Sequence, residues 1–323
     1  MGNIIHCVIY MTNEQKKSFI IEGEMLVLEQ RYPFRIAFMN DIHVGAQHGM
    51  FPEGFVGIYG AKETLNGGQK ILWKYLNQYI GEMNKNKVNT FFVVGDLIAG
   101  KNYKDGGSYI MNVELPQQKE ACAFLIAYIC EKVPTIKNVY FLRGTPYHGS
   151  QDGSIEKDIA GILALKYDIK PKYLGEYTYL TLKYGKYKKV IWIAHPATGA
   201  TMYPEMAMGR DIGHFLQAYA MGKLPKVDMI IRAHKHEYIS LHKSTIRSVI
   251  LPCWQFFCPY DKAVKWYSKW QPDIGGLILL ADEQVRLRPW HFTYPNVPDP
   301  KRFLTLKHSL DTYGVNEKCL SKK

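Results

Sequence analysis

No apolar run in this sequence approaches the ~18–20 residues that cross a bilayer, so no membrane partner is expected. FLIAYIC at 124–130 is too short for that and reads as the buried face of a helix. The opening MGNIIHCVIYMTNEQKK lacks the basic leader, long apolar run and small-residue cleavage site of a signal peptide. Met1-Gly2 opens like a myristoylation site, but His6 stands where Ser or Thr is required. A G-x-x-x-x-G-K-S/T loop is also absent, which removes the P-loop route to ATP hydrolysis. The six cysteines (Cys7, Cys122, Cys130, Cys253, Cys258, Cys319) form neither a C-x-x-C pair nor a zinc-finger spacing. They read as reduced thiols of a cytoplasmic protein. Acidic residues are outnumbered: 29 Asp and Glu face 41 Lys and Arg, a net charge of +12 that favours anionic partners such as nucleotides or nucleic acid.

What the chain does contain is a set of acid and imidazole residues placed just after apolar, strand-like runs. RIAFMN leads to Asp41-Ile42-His43, TFFVV to Gly95-Asp96, and NVYFLR to Gly144-Thr145-Pro146-Tyr147-His148. KVIWIA leads to His195, and VDMIIRA to His234-Lys235-His236. In open α/β sheets, ligands bind outside the carboxyl ends of the strands. Extended residues two apart point the same way, so Asp41 with His43, and His234 with His236, are expected to reach a common point. Arg232 and Lys235 then point away. Carboxylate oxygen and imidazole nitrogen suit Zn, Fe and Mn, and one carboxylate, such as Asp96, can bridge two ions. Any one of these residues alone reads as an ordinary turn Asp or core His. The whole set, each after an apolar strand, reads as a metal centre assembled from distant parts of the chain.

The motifs resemble those of the calcineurin-like metallophosphoesterase superfamily: D-x-H, G-D, G-N-H-D/E, a lone H and G-H-x-H. Here they stand as D-I-H at 41–43, G-D at 95–96, His195 and A-H-K-H at 233–236, covering most of the chain. The third motif departs. Arg143-Gly144-Thr145-Pro146-Tyr147-His148 replaces R-G-N-H-D, so the metal-binding Asn is absent. RGTPYH, RAHKH and LPCWQ…GG look like a branch common among phage and prophage proteins.

The resemblance implies an αββα sandwich of two packed mixed sheets flanked by helices. It implies two divalent ions, Mn foremost, with Zn, Fe or Ni as alternatives. Asp41, His43 and His236 would hold the first, His195 and His234 the second, and Asp96 would bridge. A metal-bridging water of lowered pKa would then attack the phosphorus in line, with His148 stabilising charge or protonating the leaving alkoxide. Thr145 would fill the missing Asn position through its hydroxyl or carbonyl, unless water does. Arg143 is a candidate for a substrate phosphate or an ordinary salt bridge, and His48, in the Gly-rich loop after His43, for a substrate contact. The implied activity is a phosphodiesterase or phosphatase, nuclease-like if the charge points to nucleic acid. The alternatives are a catalytically weak metal-binding scaffold and a nucleic-acid-binding protein with a structural metal.

Periodicity predicts helices over 67–84, 114–131, 155–165 and 209–221, with Ser154 capping the third. Strands are expected at 34–40, 90–94, 137–142, 178–182 and 189–194 and in VDMIIRA, and after 236 in YISLH, TIRSVIL, GGLILLA and QVRLRPW, the last two as a closing hairpin. Alternation of strands and helices, then hairpins, implies layered α/β architecture. Residues 1–33 read as an N-terminal extension or small cap, 34–294 as the domain, and 295–323 as a tail. Lysines cluster at 183–189 and among aromatics at 260–270, where stacking and phosphate pairing compete with a plain solvated face.

Overall fold

The side chains of the central strands alternate between two apolar environments, and that alternation sorts the molecule into layers. The computed structural model describes residues 20–22, 25–57, 60, 62–101, 109–111, 113–148, 153–196, 204–256 and 272–295. In β3 (Phe34–Met39), Phe34, Ile36 and Phe38 enter one buried cluster while Ala37 and Met39 enter another. β4 (Thr90–Val94) divides as Phe92 and Val94 against Phe91 and Val93, and β5 (Asn138–Leu142) as Tyr140 and Leu142 against Val139 and Phe141. Strands buried on both faces read as continuous apolar runs, which is why all three were visible in the sequence.

These strands belong to a six-stranded sheet of order β13-β12-β3-β4-β5-β6, completed by β6 (Lys172–Tyr173), β12 (Ile274–Ala281) and β13 (Leu287–Tyr294). β3, β4, β5 and β6 run parallel, and β12 pairs antiparallel with β3. The second sheet has seven strands in the order β1-β2-β7-β8-β9-β11-β10. It comprises β1 (Ile20–Glu22), β2 (Met25–Arg31), β7 (Tyr177–Tyr184), β8 (Tyr187–Ala194), β9 (Met229–Arg232), β10 (Ile239–Lys243) and β11 (Ile246–Ile250).

The two sheets face each other across one apolar layer that joins Phe38, Phe92 and Leu142 to Leu180, Ile191, Ile193 and Ile231. α1 (Gly67–Lys85), α2 (Leu115–Lys132) and α3 (Ser154–Tyr167) cover the outer face of the six-stranded sheet. α4 (Pro204–Ala220) covers the other sheet, packing Ile212 and Phe215 on Trp192 and Ile230. Two mixed sheets between helices are the αββα order expected from the resemblance. No described helix is long and apolar enough to cross a membrane.

Several local details differ from expectation. α4 begins five residues before the predicted 209. Ser154 is the first residue of α3, and the N-cap position belongs to Gly153 in a left-handed conformation. α1 instead carries a full capping box that the periodicity did not reveal: Asn66 accepts from the Gln69 N–H while the Gln69 side chain accepts from the Asn66 N–H. MLVLEQ, in the segment read as an extension or small cap, lies in β2, which pairs parallel with β7 and antiparallel with the edge strand β1. The IIHCVIY segment, the 260–270 lysine–aromatic stretch and the tail beyond 295 lie outside the described residues.

Candidate metal centre

β3, β4 and β5 of one sheet and β8 and β9 of the other all end at the same rim of the sandwich. The segments beyond those ends bring Asp41, His43, Asp96, Thr145, His148, His195, His234 and His236 together. Three overlapping groups have ligand atoms within 4.8 Å of one another: Asp41, Asp96, His195 and His234; Asp41, His43 and His236; and His43, Asp96 and His148. One Asp41 oxygen, Oδ1, lies 3.1 Å from His236 Nε2 and 3.7 Å from both His43 Nε2 and His195 Nε2. Asp96 Oδ2 lies 3.0 Å from His195 Nε2 and 3.9 Å from His234 Nδ1. Both carboxylates are therefore shared between groups.

The backbone reaches this arrangement by a route the spacing argument did not foresee. Asp41 (φ 46°), His43 (φ 49°), Asp96 (φ 47°), His234 (φ 73°) and His236 (φ 57°) are all left-handed. The residues at 41, 43, 234 and 236 lie past the ends of β3 and β9, so strand alternation does not aim them. Each such conformation costs a non-glycine residue about 1–3 kcal/mol, and such strain clusters at functional sites. Two glycines make room for the cluster. A Cβ on Gly95 (φ 72°) would lie 2.5 Å from the His195 ring and 2.6 Å from Gly144 Cα, and one on Gly144 would overlap Asp96.

Hydrogen bonds fix the ring orientations. His195 Nδ1 sits 2.6 Å from the Val94 carbonyl, so its N–H donates there and Nε2 faces the centre. Nε2 makes no hydrogen bond of proper geometry although Asp96 is 3.0 Å away. That orphaned, fully buried nitrogen beside two carboxylates fits a cation ligand. His148 Nδ1 is 3.0 Å from the Ala99 carbonyl, which likewise directs Nε2 inward, and its ring packs 4.3 Å from that of His43. His43 Nε2 and His236 Nε2 face each other at 3.3 Å.

Charge separates the rings. Burial, reinforced by His148, drives the His43 imidazole down to about 4, so it is neutral. Burial also acts against protonation of His195, yet Asp96 and Asp41 outweigh it and hold this group up at about 9. Burial would raise Asp41 and Asp96, but the neighbouring imidazoles, His195 first, keep both well below the ordinary carboxylate range. Two buried anions ringed by imidazoles form a donor set of the hard-oxygen and nitrogen kind that Mn, Zn and Fe accept.

The remaining candidates are engaged in other contacts. The Thr145 hydroxyl lies 3.0 and 3.1 Å from the two Asp96 oxygens, and its N–H donates to Oδ1 at 2.6 Å. The hydroxyl thus braces Asp96. Thr145–His148 closes as a turn with the His148 N–H on the Thr145 carbonyl and Pro146 at its second position. Arg143 is ion-paired with Glu176. His48 is buried against Tyr109 and belongs to none of the three groups.

Other contributors went unseen in the sequence. Asn40 donates to Asp41 Oδ2 at 2.6 Å, and the buried Glu156 of α3 accepts the Gly144 N–H at 3.0 Å. Asn40 left a weak signal as a polar residue closing an apolar strand, whereas Glu156 left none.

No family model matches the chain, and no curated protein matches it. Solved structures do align along most of it. A novel archaeal phosphodiesterase aligns over 80% of this chain and 100% of its own, at 12% identity and TM-score 0.37. Vps29 of Entamoeba histolytica, complexed with zinc, aligns over 81% of this chain and 100% of its own, at 11% identity and TM-score 0.37. A predicted phosphoesterase of Streptococcus pneumoniae covers 81% of this chain and 98% of its own, at 12% identity and TM-score 0.28.

Proposed function

We propose that this protein is a dinuclear metal-dependent phosphoesterase, a phosphodiesterase acting on nucleotides or nucleic acid. The observation that carries this reading is the overlap of three ligand groups at one rim, with Asp41 and Asp96 each common to two of them. The motif resemblance supports the same assignment. Asp41, His43 and His236 would hold one ion and His195 and His234 the other, with Asp96 available to both. Divalent ions held there would supply neutralisation of the phosphate oxygens and a water of lowered pKa.

The chain's own residues do the rest. The Val94 carbonyl engages Nδ1 of His195, so Nε2 is the nitrogen that would ligate once its proton is lost. Thr145 and Asn40 hold the Asp96 and Asp41 carboxylates in place through hydrogen bonds. His148, fixed by the Ala99 carbonyl, keeps Nε2 free to hold a proton for the leaving alkoxide. Its place in a group with His43 and Asp96 also lets it serve as a ligand, and the His148→Ala experiment below separates the two roles. The +12 net charge supports a polyanionic or nucleotide substrate. The cysteine spacing supports a cytoplasmic setting. The phage-associated branch rests on the wording of the RGTPYH, RAHKH and LPCWQ…GG motifs alone.

One observation favours a second reading, a metal-binding scaffold of weak activity: the Asn of the third motif is absent, and the Thr145 hydroxyl in its place is engaged by Asp96. Hydrolysis of bis-p-nitrophenyl phosphate and p-nitrophenyl phosphate decides between them. Metal-stripped protein is assayed with Mn²⁺, Ni²⁺, Zn²⁺ or Mg²⁺ added back, beside Asp96→Asn. Metal-dependent turnover lost in the variant, with the diester preferred, supports the phosphodiesterase. No turnover with two ions bound favours the scaffold.

A further inference from the structure

Arg232 ends β9, two residues before His234, and its side chain leaves the inter-sheet layer for the face covered by α4. It is 7% exposed there, and its guanidinium stacks over the Trp192 ring at 4.1 Å. Nε and one terminal nitrogen both approach Asp211 Oδ2 of α4 at 3.0 Å, and Asp211 is 5% exposed. The other terminal nitrogen donates to the carbonyl of Pro196, the residue after His195. Beside it, the Ala233 N–H donates to the His195 carbonyl at 3.1 Å. The parallel strands β8 and β9 are thus laced together where each delivers an imidazole, and the two rings stand 5.5 Å apart.

A buried ion pair is weak ground for stability, because apolar residues of similar volume commonly serve as well or better. The reason for this pair then lies in what it holds. We propose that Arg232 and Asp211 form a positioning clamp that sets the His195–His234 separation, and with it the affinity of one ion of the pair. This inference rests on the dinuclear reading above. Arg232 touches neither substrate nor ion. It acts through the Pro196 carbonyl, and the fork of the guanidinium lets one side chain hold that carbonyl and Asp211 together. A lysine in its place has one nitrogen for both.

The test is calorimetric titration of Mn²⁺ into the metal-stripped full chain. It compares wild type with Arg232→Lys and with the double variant Arg232→Met/Asp211→Leu, whose apolar pair preserves packing. Outer-shell changes typically weaken metal binding about 10–100-fold. The expected result is a loss of that size for one ion in both variants. The second ion keeps its wild-type affinity, and the double variant melts no lower than wild type in the metal-free state. Wild-type affinity for both ions in either folded variant, or equal weakening of both, overturns the clamp. A wild-type protein that binds no ion overturns the dinuclear reading itself, and the clamp falls with it.

Discussion

Metal binding should expel protons from this site, and the structure points to the groups that lose them. Without metal, His195 is held up at about 9, against burial, chiefly by Asp96 and Asp41. His236 is also held well above its usual 6.5, with Cys253 and Asp41 outweighing burial. His195 is therefore protonated at pH 7 and must lose its proton to hold a cation, and the upward shift of His236 acts in the same direction. Binding should therefore release the His195 proton at pH 7. For His195 alone, the gap between pH 7 and about 9 opposes binding by about 3 kcal/mol, or roughly a hundredfold in affinity. Affinity should rise with pH across that window and flatten above it.

The same shift governs the metal-free fold. A raised folded value means the His195 contribution to stability is fully present below the usual 6.5 and is lost as pH rises through about 9. Titration calorimetry with Mn²⁺ in buffers of different ionisation enthalpy counts the released protons directly. Binding with no buffer dependence, and an affinity flat from pH 6 to 9, would refute the charge assignment.

Replacing His148 by Ala should lower turnover about 10²–10⁴-fold while both ions stay bound, as checked by metal analysis of the purified variant. Loss of an ion would make His148 a ligand and remove it as the acid. Gly95→Ala should force the His195 ring aside, since its Cβ would lie 2.5 Å from that ring, and should add about 1–3 kcal/mol of backbone strain. A lower melting temperature together with weaker metal binding is expected, and an unchanged protein would contradict the close packing described. Glu237 is raised to about 7 by burial, with Asp273 and Glu205 adding to it. Its stabilising neutral form is complete below the usual 4.5 and is lost as pH rises through about 7. Glu237→Gln should therefore raise the melting temperature of metal-free protein at pH 8 and leave it nearly unchanged at pH 4.5.

The layered fold was legible where burial is two-sided. After Thr90 and Asn138, FFVV and VYFL carry no charge because one face meets the helices and the other meets the second sheet. The second sheet itself came only through the resemblance, since periodicity assigns strands without pairing them. The seven acid and imidazole residues were readable because strand ends are where such sites form. Their geometry was not. Extended alternation was the wrong reason for the convergence of Asp41 with His43 and of His234 with His236, because all four are left-handed beyond their strands. Thr145 was weighed as a ligand and is observed bracing Asp96. Arg232 was correctly expected to point away from the centre, but what it does on the other face depends on Asp211, Trp192 and Pro196, which only the tertiary structure brings to it.

The measurement that bears most directly on the dinuclear claim is turnover of bis-p-nitrophenyl phosphate against equivalents of Mn²⁺ added to stripped protein. The account predicts negligible hydrolysis below one equivalent per chain, a rise that follows the second equivalent, and none at any loading in Asp96→Asn. Full activity at one equivalent, or none with two ions bound, would contradict it.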